Sequence, residues 1–80
     1  MRRKRMDIFE SLKIAVGCGY ISDLRYDPYW SMANHWLAVH SLESYTFREL
    51  CDLAAYLHGR AHFESREAVV RYLQSFKPFF

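Results

Sequence analysis

Thr46-Phe47-Arg48-Glu49-Leu50-Cys51-Asp52-Leu53-Ala54-Ala55-Tyr56-Leu57-His58-Gly59 is the stretch on which the reading of the fold turns. Its first four residues form a capping box, in which the Thr46 hydroxyl accepts from the Glu49 N–H while the Glu49 carboxylate reaches back to the Thr46 N–H. Phe47, Leu50, Leu53, Ala54 and Leu57 then recur at helical spacing. Arg48, Glu49 and Asp52 fall on the opposite face, and Gly59 can take the left-handed conformation that ends a helix.

The flanking segments repeat the pattern. Asp7 is an N-cap ahead of Ile8, Phe9, Leu12, Ala15 and Val16, which predicts a first helix over 7–16 with its stop at Gly17. The β-branched Ile14 and Val16 also permit 12–16 to be read as a strand entering the Gly17-Cys18-Gly19 turn. Residues 17–27 read as a connector with a short extended or single-turn piece around Tyr20 to Tyr26. Asp27-Pro28 then supplies a cap followed by proline at the first helical position. In that second helix Tyr29, Trp30, Met32, Ala33, Trp36, Leu37 and Val39 cover a broad apolar arc, and Ser31, Asn34 and His35 fall on the remainder. Ser65 caps a fourth helix with Val69, Tyr72, Leu73 and Phe76 inward and Glu67, Arg71 and Gln74 outward, and Pro78 prevents extension past Lys77. The expectation is an all-α, compact single-domain bundle of about four short helices over 7–80, preceded by a basic arm over 1–6.

Composition fits that size. Eighty residues cannot divide their apolar side chains between two self-sufficient cores, and 51% hydrophobic content is enough to fold one. Four of the eleven basic residues, Arg2, Arg3, Lys4 and Arg5, sit in the arm, which leaves seven basic against nine acidic residues in the body. Such a body is not a broad phosphate-binding platform. No apolar run approaches the roughly 18 residues that cross a bilayer. The arm is not followed by an apolar secretory segment, and Cys18 and Cys51 allow one disulfide at most, so the expected setting is the cytoplasm with no membrane partner.

The constellations that carry chemistry are weak. Cys51, His58 and His62 suggest a zinc site, but Gly59 interrupts the helix between the two histidines and there is no C-x-x-C pair, so neither a metal nor a cofactor is expected. His40 reads as a cap at the end of the second helix and not as a catalytic base, since no carboxylate or nucleophile falls where it would orient the ring. Gly17-Cys18-Gly19 is a turn: a phosphate loop would lead into a helix N-terminus, and thiolates are activated there, not at helix C-termini. An enzyme is not indicated.

Aromatic residues are the main surplus, fourteen in eighty. Several of them (Tyr26, Tyr45, Phe63, Phe79 and Phe80) fall in connectors or at the end of the chain, where burial is not assured. The reading is therefore a small non-enzymatic protein-binding module of the inhibitor or adaptor type, comparable in size and economy with such proteins of phages and mobile elements. Its contact residues are Tyr26, Tyr29, Trp30 and Phe63, with Arg25 and Arg60 as rim charges. The alternative is a nucleic-acid-binding regulator that uses Arg2, Arg3, Lys4 and Arg5 together with a helix-turn-helix-like pair over 46–76, whose exposed face carries Arg66, Arg71 and Gln74. A broad apolar second helix would also suit a homodimer.

Overall fold

The computed structural model describes residues 6–76. Their order is α1 (Ile8–Val16), a short 3-10 helix (Ile21–Arg25), α2 (Tyr29–Val39), α3 (Phe47–His58) and α4 (Arg66–Gln74), with no strand among the described residues. The chain is an all-α domain, and 12–16 belong to α1 and not to a strand. The arm over 1–5 and residues 77–80 lie outside the described residues.

Local chemistry sets most of the helix ends. The Asp7 carboxylate accepts from the Glu10 N–H at 2.9 Å, and Ser65 Oγ accepts from the Ala68 N–H at 3.2 Å. The capping box of α3 is closed in both directions, Glu49 N–H to Thr46 Oγ1 at 3.1 Å and Thr46 N–H to Glu49 Oε1 at 3.3 Å. Glu49 does more than the box requires, because its other oxygen accepts from the Ile8 N–H at 3.2 Å and so ties the start of α1 to the start of α3. Gly17 and Gly59 end α1 and α3 at φ of 74° and 76°, where a Cβ would strain the backbone. Pro28, expected at the first helical position, is instead the cap residue of α2, whose first helical residue is Tyr29. Asp27 caps from further out, its Oδ1 accepting from the Ser31 N–H at 3.1 Å and from Ser31 Oγ at 2.7 Å.

Both α1 and α4 pack against α2, and both pack against α3, while the 3-10 helix closes the side formed by α1, α2 and α3. The core is aliphatic. Ile8, Leu12 and Val16 meet Leu24, Ala33, Leu37, Leu42, Leu50, Leu53, Ala54, Leu57, Val69 and Leu73. Fully burying each of the larger chains contributes about 1.5–3 kcal/mol. The rings pack around this centre and do not form it.

Four residues lie on the other side from the one expected of them. The buried stripe of α2 runs through Ala33, Asn34 and Leu37 with Trp30 half-buried beside it, the i, i+3, i+4, i+7 pattern of one helix face. Asn34, expected outside, is completely buried, whereas Val39, expected inside, is 60% exposed and Met32 is exposed. Polarity misplaced the stripe by hiding one of its four members. Phe47 is exposed because it occupies the first turn of α3, beyond the reach of the packed faces.

Candidate protein-binding surface

The last turn of α3 organises the aromatic surface. A helix end leaves its final carbonyls without intrahelical donors, and Trp30 supplies one, its indole Nε1–H donating to the Leu57 carbonyl at 3.0 Å. Beside it His58 is enclosed by rings. It stacks on Phe76 with centroids 3.7 Å apart, and meets Trp30 at 5.4 Å and Tyr72 at 5.7 Å edge to face. Asn34 fixes its tautomer. The Asn34 Nδ2 donates to the Trp30 carbonyl at 3.0 Å, so Oδ1 is the acceptor that faces the imidazole, and His58 Nε2–H donates to it at 3.0 Å.

Beyond Gly59 the band continues through Tyr72 to Phe63, with ring centroids 5.2 Å apart. The Arg60 guanidinium lies over both rings, 4.6 Å from Phe63 and 5.1 Å from Tyr72. One turn earlier on α3, Arg25 from the 3-10 helix lies 5.4 Å over Tyr56, which meets Phe9 edge to face at 5.6 Å. Each arginine is exposed and is aligned by a ring beneath it.

The residues expected to bind protein therefore divide into two groups. Tyr26 is 69% exposed next to Arg25, and Arg25 and Arg60 are exposed as rim charges. Tyr29, Trp30 and Phe63 are half-buried against the core. Trp30 is also part of the scaffold, because its only polar hydrogen closes α3.

Of the residues expected to read nucleic acid, Arg66, Arg71 and Gln74 line one groove along α4, which Glu67 shares. Arg66 donates from Nε and Nη2 to the Tyr45 carbonyl, at 3.3 and 3.0 Å, and from Nη2 to the Leu42 carbonyl. Gln74 Nε2 donates to the Leu37 and His40 carbonyls, each at 3.0 Å. Both side chains serve as caps for the end of α2 and the loop after it and are half-buried, less exposed than expected. Arg71 remains exposed, and Arg2, Arg3, Lys4 and Arg5 lie outside the described residues.

Histidine and cysteine chemistry follows from position. His58 is half-buried, and burial pushes its pKa below the ordinary 6.5. The unfolded chain then takes up its proton first, so the stability contributed by neutral His58 is complete above pH 6.5 and is lost as pH falls below it. Thermal unfolding followed against pH should show this fall, and His58→Gln should flatten it; an unchanged profile would place the ring in water. His40 is exposed, stacked on Trp36 at 4.4 Å, and its Nδ1 lies 2.9 Å from the Trp36 carbonyl. Burial, and then the charge of Asp52, push the Cys51 thiol up, the wrong direction for a reactive thiolate.

A second surface was not expected from the sequence. Ala15, Val16, Met32, His35, Trp36, Val39 and His40 line an apolar groove of about 280 Å³ between α1 and α2. Nearby on α1, Ile14 is 62% exposed. The periodicity of α2 would have revealed this groove once Asn34 was placed inside, since Met32 and Val39 then lie off the buried stripe.

Comparison with known proteins returns no match: no family profile, no curated protein and no solved structure is similar to this chain.

Proposed function

We propose that the chain is a small non-enzymatic protein-binding module that docks an aromatic and charged surface onto another protein. One observation carries this reading: Arg25 and Arg60 are held over aromatic rings at the end of α3, with the exposed Tyr26 alongside Arg25. Interfaces favour tyrosine, which offers large contact area at small conformational cost, and arginine, which offers several donors. Rings already packed beneath the guanidiniums lower that cost further. The cytoplasm is the setting this reading assigns, where the free thiols Cys18 and Cys51 would persist.

The test is capture with the tagged full chain, compared with a variant carrying Arg25→Ala and Tyr26→Ala. Both side chains are exposed, so the variant should keep its helical circular dichroism while losing the captured partner. Retained capture would move the binding surface elsewhere, the groove between α1 and α2 being the first alternative, and self-association through that groove would appear as a dimer in sedimentation.

A further inference from the structure

Behind the aromatic band lies a groove of about 280 Å³ lined by Arg60, Phe63, Ala68, Arg71, Tyr72 and Ser75. Ala68, Arg71, Tyr72 and Ser75 are one outer stripe of α4, spaced i, i+3, i+4 and i+7, and the connector over 59–65 forms the opposite wall. Both guanidiniums in it lack an anionic partner: among the described residues neither Arg60 nor Arg71 is paired with a carboxylate, and no carboxylate lines the groove. Glu64 and Glu67 border it in sequence, and Glu67 faces the neighbouring groove, on the other side of Arg71. The volume lies below the roughly 300–1,000 Å³ typical of small-molecule sites, which suits one or two side chains of a partner.

We infer that this groove receives an acidic segment of a partner protein, its carboxylates held by Arg60 and Arg71 against the Phe63 and Tyr72 rings. The inference rests on the protein-binding reading and names the partner's chemistry. The Arg60 guanidinium carbon lies over the Phe63 and Tyr72 rings, and the N–H edge of a guanidinium matches the two oxygens of a carboxylate. The same geometry disfavours single-stranded nucleic acid. Bases would need the ring faces that Arg60 covers.

The experiment uses the full chain and a synthetic peptide of four glutamates around one tyrosine, followed by amide NMR correlation spectra and by anisotropy of the fluorescein-labelled peptide. Amide shifts should concentrate at Arg60, Phe63, Arg71 and Tyr72. Arg71→Ala, at an exposed position, should weaken the peptide by about tenfold. Arg48→Ala, an exposed arginine on the outer face of α3, should leave affinity unchanged. Shifts confined to the arm over 2–5, equal weakening by Arg48→Ala, no binding, or tighter binding of a thymidine oligonucleotide would each overturn the inference. A captured partner that survives Arg71→Ala but is lost with Arg25→Ala and Tyr26→Ala would overturn it while leaving the protein-binding reading in place.

Discussion

Asn34→Ala should lower stability by about 2–3 kcal/mol, a shift in the thermal midpoint of roughly 10–20 °C for a domain of this size. Two costs add. The side chain is wholly enclosed, so its removal leaves a cavity. More important, His58 Nε2–H loses the acceptor it reaches at 3.0 Å, and a buried donor without a partner forfeits its desolvation energy with no return. The Trp30 carbonyl also loses the amide N–H at 3.0 Å. The pairing argument can be separated from cavity formation by a double-mutant cycle. Asn34→Leu and His58→Phe together should be less damaging than the sum of the two single changes, because the double variant leaves neither polar partner behind. Additive losses would show that the amide and the imidazole do not depend on each other.

Arg66→Ala carries the second large effect, also about 2–3 kcal/mol. The guanidinium donates three hydrogen bonds to two carbonyls in the loop between α2 and α3, those of Leu42 and Tyr45. A charged donor to a carbonyl is stronger than a neutral one, and here the fork holds both carbonyls from one rigid plane. The loop is also held by the burial of Leu42, by the Tyr45 N–H, which donates to the Leu42 carbonyl at 3.3 Å, and by the Tyr45 hydroxyl, which donates to Ser11 Oγ at 2.9 Å. Hydrogen exchange should therefore accelerate at Leu42 to Thr46 more than in α3 itself. Arg66→Lys should recover only part of the loss, since a single ammonium cannot span both carbonyls. A loss below about 0.5 kcal/mol would be the behaviour of an ordinary surface side chain and would contradict the capping role.

The two predictions concern residues that the sequence placed outside, and the misplacement has one cause. Asn34, Arg66 and Gln74 are polar, and hydropathy sends polar residues to water. Each instead meets a donor or acceptor that comes from a distant part of the chain: His58 for Asn34, the Leu42 and Tyr45 carbonyls for Arg66, and the Leu37 and His40 carbonyls for Gln74. Such a partner is invisible to a window of neighbouring residues. The consequence reaches function. With Arg66 and Gln74 bonded to backbone carbonyls, Arg71 is the exposed arginine of the fourth helix, and Trp30 becomes a strut for α3.

What the amino-acid order determined by itself was local. Caps at Asp7, Thr46 and Ser65, the left-handed stops at Gly17 and Gly59, and the leucine stripe of α3 depend on atoms within a turn of each other, so the helices over 8–16, 47–58 and 66–74 are legible without the rest of the molecule. It also indicated arginines and rings at the surface, from Arg25 and Tyr26 to Arg60 and Phe63. Only the tertiary structure decided which ring lies under which guanidinium, which side of α2 is inside, and that Arg60 and Arg71, eleven positions apart, face one groove. Those relations depend on how α4 docks beside α3 and α2, and docking is set by the summed packing of many side chains, a quantity no single segment contains.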